Sequence, residues 1–125
     1  MKVQLLTSLL KNDRKKFNLI LSDGTIKIVD LYQIVMRALS GLSNSDKITV
    51  DQIEHYIYNM KIEYGNQDKG KIRKSDIIRI LNILSSIAAD MNKADPIIEY
   101  KDPEKTVYMY DSFFSFNLKF HYRNE

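Results

Sequence analysis

The chain has 125 residues, of which 44% are hydrophobic and 28% are charged, so it can bury the core of one globular domain. It contains no cysteine, which excludes disulfide bonds, thiolate metal sites and cysteine nucleophiles. The formal net charge of +3 and the pI near 9.0 permit contact with nucleic acid without requiring it. We therefore expect a single domain over residues 1–125 with a cytoplasmic location.

The first 29 residues are predicted to form a helix followed by a β-hairpin. Apolar residues recur at helical spacing over 2–11. Polar residues interrupt this run and no cleavage site follows it, so we expect no signal peptide, and no run is long enough to cross a membrane. Asp23 and Gly24 separate two short apolar segments. Because glycine accepts the positive φ of a tight turn, we expect two strands within 16–29.

The next elements are read from capping residues and apolar spacing. Asp30 suits the N-cap of a helix, and Gly41 suits its end. Thr49 and Gln52 have the spacing of a capping box, in which each side chain satisfies a backbone N–H at a helix start. The predicted elements are a helix at 30–41, a short strand at 47–49 and a helix at 50–61.

The remainder of the chain is predicted to contain a third helix, a strand pair and an aromatic segment. Ser75 suits the N-cap of a helix over 75–93, and Pro96 cannot extend that helix. A turn at 102–104 separates two segments of β-branched and aromatic residues within 96–111, which predicts a hairpin. The aromatic segment is open between two interpretations. A strand fits the alternation of Phe114, Phe116, Leu118 and Phe120, whereas a helix fits the spacing of Phe113, Phe116 and Phe120.

The sequence contains only incomplete matches to motifs for cofactor, metal and catalytic sites. The segment 65–71 matches a phosphate-binding loop, but Ile72 stands where the motif needs a hydroxyl for magnesium. Two loops that echo calcium-binding loops lack the carboxylate ligands, and one ends in Gln52 where a bidentate glutamate is required. His55 and His121 have no metal-ligand spacing, and no nucleophile or paired carboxylates accompany them. We therefore expect no cofactor, no metal site and no enzymatic activity.

Basic residues gather immediately before the third predicted helix. Free N–H groups at a helix start favour phosphate, so this loop and helix start form a candidate phosphate clamp. Arginine and asparagine farther along the helix are the residue types that pair with base edges. The predicted nucleic-acid-binding residues are Lys69, Lys71, Arg73, Lys74, Ser75, Arg79, Asn82, Ser86, Lys101 and Lys105. The alternative is an ordinary solvated loop and helix face.

The order of elements over 30–111 resembles the winged helix-turn-helix family. The segment TVYMYDSFFSF, through Asp111, Phe113, Phe114 and Phe116, is similar to the end of winged-helix domains attached to some prokaryotic AAA and STAND-type ATPases. The resemblance implies an α+β, mainly helical winged-helix-like domain, with 1–29 as an N-terminal extension and 112–125 as an aromatic C-terminal segment. The chain departs from the family in a longer loop before the third helix and in the absence of an ATPase module.

Two functions follow from this resemblance. The winged helix-turn-helix family implies a small regulator of transcription that binds double-stranded DNA. The basic loop, the third helix and the hairpin at 96–111, which forms the wing with Lys101 and Lys105, would make the contacts. The ATPase-linked domains imply a module for protein contacts or assembly, which includes a dimerising winged helix that binds no nucleic acid. Both interpretations predict a protein that acts without a membrane.

Overall fold

A computed structural model describes residues 16–63 and 71–123. Within these ranges the chain forms a small α+β domain with four helices and two antiparallel sheets, which confirms the expected α+β class. The helices are α1 (Leu31–Gly41), α2 (Val50–Tyr58), α3 (Lys74–Met91) and α4 (Ser112–Tyr122). The strands are β1 (Lys16–Ile20), β2 (Ile26–Asp30), β3 (Lys47–Thr49), β4 (Ile62–Glu63), β5 (Ile98–Lys101) and β6 (Thr106–Met109). The predicted helix at 2–11 lies outside the described residues.

The first sheet is built on the predicted hairpin of β1 and β2. Gly24 has a φ of 87°, which a residue with a side chain adopts only with strain. The Thr25 N–H donates to the Asp23 carboxylate at 2.9 Å and closes the turn. Phe17 pairs with Val29 on the inner, buried face of the hairpin. Strand β4 joins the other side of β1, so the strand order is β2-β1-β4.

The outer face of this hairpin is apolar near the turn. Ile26 and Ile28 expose 55% and 70% of their surface, and Lys27 lies between them along β2. Within the described part of the chain, β2 is the end strand of its sheet.

Helix α1 lies at the centre of the molecule. The Asp30 carboxylate accepts from the Gln33 N–H, and the Gln33 side chain accepts from the Asp30 N–H, both at 3.0 Å. This reciprocal capping box starts the helix where the sequence predicts. Nine of the eleven helical residues are buried, because the other three helices and β2 pack around α1.

The second sheet joins distant parts of the chain in the order β3-β6-β5. Strands β5 and β6 form the predicted hairpin, and β3 pairs with β6 through Ile48 opposite Val107. The Val50 N–H donates to the Lys105 carbonyl at 2.9 Å. This bond fixes the start of α2 against the β5–β6 turn.

The predicted cap of α3 is wrong. The helix begins at Lys74, so Ser75 lies within its first turn. The reason is that the Asp76 carboxylate reaches back and accepts from the Arg73 N–H at 3.0 Å, which makes Arg73 the capping position. The other predicted bounds differ slightly, since α2 ends at Tyr58 and α3 at Met91.

The aromatic segment forms helix α4, so the helical interpretation is correct. The Asp111 carboxylate accepts from the N–H groups of the first turn, and Phe114, Leu118 and Tyr122 recur every four residues on the buried side. The Ser40 hydroxyl donates to the Leu118 carbonyl at 3.2 Å, so α4 is bonded directly to α1. In the described ranges, no helix has both the length and the apolar character that crossing a membrane requires.

Candidate functional site

The predicted base-reading residues lie on one solvent-facing side of α3. Ser75, Arg79, Asn82 and Ser86 are spaced by three and four residues and are all exposed. The adjacent flank of α3 contacts β5, where the Tyr100 N–H donates to the Ser85 hydroxyl at 3.0 Å. The exposed polar face of α3 therefore borders the β5–β6 hairpin.

The basic loop before α3 is only partly free to bind anions. Lys74 lies 2.6 Å from the Asp51 carboxylate and 3.8 Å from that of Glu54, both on α2. The hydrogen bond to Asp51 and the charges of both carboxylates raise the pKa of the Lys74 ammonium above its usual value. Lys71 and Arg73 are exposed. Lys69 lies outside the described residues.

Lys101 and Lys105, the predicted DNA-binding lysines of the β5–β6 hairpin, lie among carboxylates and aromatic rings. Lys105 donates to the Asp102 carboxylate at 3.0 Å, and this contact, followed by a hydrogen bond from Tyr100, lowers the pKa of Asp102. The Lys101 ammonium lies 5.0 Å from the centre of the Tyr108 ring. The Tyr108 hydroxyl donates to Glu104. The β5–β6 hairpin therefore presents a mixture of charges and is not purely basic.

A second surface, on α4, is apolar and faces water. Phe113, Phe116 and Phe120 expose 78%, 66% and 52% of their surface and recur at intervals of three and four residues. We call these three residues the aromatic face. At 100° per residue, this face lies opposite the side of α4 that is buried against α1. Helix α4 is therefore apolar on two opposite sides.

The two ends of the aromatic face carry opposite charges. Lys119 and His121 lie in the last turn of α4, and the Arg123 guanidinium stacks 3.8 Å from the centre of the Phe120 ring. At the other end are the Asp111 carboxylate and Glu99, which accepts from the Tyr110 hydroxyl at 2.8 Å.

The sequence contained part of the signal for the aromatic face. The helical spacing of Phe113, Phe116 and Phe120 describes the exposed side of α4, whereas the alternating set that favoured a strand mixes buried and exposed residues. Comparison of the chain with protein-family models, with curated proteins and with solved structures finds no match. The function of the chain is therefore inferred from the surfaces of the molecule itself.

Proposed function

We propose that this chain is an assembly module that forms a homodimer through the aromatic face of α4. The observation that carries the proposal is the exposure of Phe113, Phe116 and Phe120 on one side of a helix whose other side is already buried. An exposed apolar patch on a folded chain commonly marks a surface that a partner covers. A second copy of α4 supplies that cover.

The size of the aromatic face suits a dimer interface. At roughly 200 Å² per ring, the three exposed fractions correspond to about 400 Å² of apolar surface. This is about half of the roughly 800 Å² that each partner buries in a stable interface. Tyr110, which is 49% exposed, lines a surface pocket together with Phe116 and extends the same surface.

Charge favours an antiparallel arrangement of the two α4 helices. About a two-fold axis, Phe116 of each copy lies near the axis and Phe113 lies opposite Phe120 of the partner copy. The basic last turn of one helix then adjoins the Asp111 end of the other. A parallel arrangement would bring like charges together, which costs affinity.

Sedimentation equilibrium on the full chain tests the dimer. We expect a dimer for the wild type and a folded monomer for Phe116→Ser. Since each copy loses roughly 1.5–3 kcal/mol of buried phenylalanine, dissociation should be about 100-fold easier or more. Tyr58→Ser is the matched control, because Tyr58 is 78% exposed but lies on α2. A wild-type chain that stays monomeric at high concentration, or a Phe116→Ser chain that dimerises normally, would refute the proposal.

A second candidate function is DNA binding by a winged-helix arrangement over 30–111. Two observations favour it. The order α1-β3-α2-β4-α3-β5-β6, with β3 paired to β6, suits a helical unit that carries a β5–β6 wing. In addition, Arg79, Asn82 and Ser86 share the solvent face of α3.

A salt titration of binding to duplex DNA tests this second function. Each lost phosphate contact should reduce the log–log salt slope by about one. We expect Arg73→Gln to weaken DNA binding and Arg79→Ala to weaken it with loss of sequence preference. Lys74→Gln should change the affinity little, because the Lys74 ammonium is already paired with the Asp51 carboxylate. Lys93→Gln, just beyond the C-terminal end of α3, is the control. Absence of binding at low salt, or equal effects of Arg73→Gln and Lys93→Gln, would exclude DNA as the ligand.

A further inference from the structure

An open groove runs beside the aromatic face, between α4 and the loop that follows α1. Its volume is about 500 Å³. Phe116 lies on the border between the two surfaces, because its exposed side chain lines the groove and also belongs to the aromatic face. The groove is therefore continuous with the proposed dimer interface.

One end of the groove is acidic. The Asp46 carbonyl accepts from the Met109 N–H at 2.8 Å, which holds Asp46 beside the residues that precede α4. Tyr110 lines the groove at the same end. The Asp46 side chain is exposed, and no residue in the described ranges forms a hydrogen bond or an ion pair with its carboxylate. A negative charge is therefore available there to a cation from another chain.

The other end of the groove is closed by a contact within one copy. The Lys119 ammonium donates to the side-chain oxygen of Asn44, in the loop that follows α1. This hydrogen bond ties the loop to α4. The wall that carries Asp46 is therefore held against the helix.

The last turn of α4 carries a cation that matches the acidic end. The Arg123 guanidinium lies 3.8 Å from the centre of the Phe120 ring and donates to the Phe120 carbonyl at 3.1 Å. Both side chains are exposed. Stacking on an aromatic ring restricts an arginine side chain and leaves its positive charge in place. Phe120 and Arg123 therefore project together as one apolar and cationic unit.

The antiparallel dimer brings this unit to the acidic end of the partner's groove. In that arrangement Phe120 lies opposite Phe113 of the partner copy. Arg123 is three residues farther along one helix, and Tyr110 is three residues farther back along the chain of the other copy. Arg123 therefore lies opposite Tyr110 of the partner copy.

The flank of α4 agrees with this position. Arg123 follows Lys119 by four residues, so both lie on the flank of the helix that lines the groove. A two-fold axis perpendicular to α4 keeps that flank on the same side in both copies. The guanidinium thus reaches the partner copy on the side of its Asp46 carboxylate.

We propose that the groove binds the last turn of α4 from the second copy, with the Arg123 guanidinium paired with the Asp46 carboxylate across the interface. The inference rests on the dimer proposed above and identifies the contact that sets its antiparallel direction. The symmetry forms this pair twice in each dimer. In a parallel dimer the two last turns would adjoin each other, and the pair could not form.

Sedimentation velocity of charge-reversal variants of the full chain tests the pair. Asp46→Arg and Arg123→Asp each place like charges at both contacts of a homodimer, so each should raise the Kd of the dimer by about tenfold or more. An equal mixture of the two variants, one of them carrying a fluorophore, should form a heterodimer with a Kd within about threefold of the wild-type value, because all its pairs join opposite charges. Asp90→Arg makes the same change of charge at an exposed position of α3 and should leave the Kd unchanged.

The mixture separates a contact between copies from a structural role within one copy. A variant that is weakened by a local defect gains nothing from mixing, and circular dichroism of each variant checks the fold. If the wild type dimerises but the mixture associates no more tightly than either variant alone, the groove contact is overturned and the dimer stands. The same follows if Asp46→Arg dimerises like the wild type. A wild-type chain that stays monomeric overturns the dimer and this contact with it.

Discussion

Phe113 and Phe114 are neighbours in the chain but lie on opposite sides of α4. Phe114 is fully buried, whereas Phe113 exposes 78% of its surface. In the monomeric Phe116→Ser background, we expect Phe114→Ala to reduce the free energy of unfolding by about 3–5 kcal/mol, and Phe113→Ala to change it by less than about 0.5 kcal/mol. Urea unfolding curves measure both. Similar losses for the two variants would mean that the exposed side of α4 also contributes to the core.

Tyr110 offers a test of the local electrostatics at the start of α4. Its hydroxyl donates to Glu99, which raises the pKa of Tyr110 from 10.0 to about 12. A raised pKa favours the protonated form in the folded chain, so this contribution to stability is present below pH 10 and is lost as the pH rises toward 12.

Spectrophotometric titration of tyrosinate measures this pKa. The difference between the wild type and Tyr110→Phe should isolate one group that ionises at about pH 12. Glu99→Ala should return that ionisation toward the usual value, because the hydrogen bond and the neighbouring charge are lost together. No displacement in the Glu99→Ala chain would show that the contact is not made in solution.

At the scale of elements, α1 and α2 begin with the same capping box in different surroundings. The box of α1 is formed by Asp30, which is only 5% exposed, and that of α2 by Thr49, which is exposed. Since water can replace a lost bond at the exposed box, we expect Thr49→Ala to cost about 1 kcal/mol and Asp30→Ala about 2 kcal/mol. Chemical denaturation measures the difference, with Asp30→Asn as the control that keeps the cap. A larger loss for Thr49→Ala would contradict this ranking.

The sequence predicts most elements because local rules decide them. Apolar spacing and capping residues identify α1 and α2, and the glycine turn identifies the first hairpin. The predicted start of α3 is wrong because two neighbouring residues, Ser75 and Asp76, could each cap the helix. The Asp76 carboxylate forms the capping bond, to the Arg73 N–H. The aromatic segment stays ambiguous in the sequence because phenylalanine occupies both sides of α4, so neither period stands out.

At the scale of the whole molecule, the candidate surfaces depend on contacts between distant residues. Lys74 meets Asp51 and Glu54 only because α3 packs beside α2, so a basic run in the sequence overstates the charge available to a ligand. In the same way, Asp46 and Tyr110 line one groove although they lie far apart in the chain. Contacts between residues so far apart in the chain cannot be predicted from a local sequence pattern. The exposed polar face of α3, in contrast, is predicted by helical spacing alone.

The proposed dimer makes the stability of the whole chain depend on its concentration. Association that occurs only in the folded state stabilises that state by mass action. We expect the Tm of the wild type to rise with protein concentration and that of Phe116→Ser to stay constant. Differential scanning calorimetry over a wide range of concentrations checks this. A wild-type Tm that does not change with concentration would count against the dimer.

The end strand of the first sheet has a consequence for solubility. In β2, Lys27 separates the exposed Ile26 and Ile28, and Val29 follows them. A run of β-branched residues without a charge is a template for intermolecular cross-β pairing, and a lysine within it blocks that pairing. We therefore expect Lys27 to protect this strand against fibril formation. A chain in which this lysine is acetylated or replaced by valine is expected to aggregate under conditions where the wild type remains dissolved.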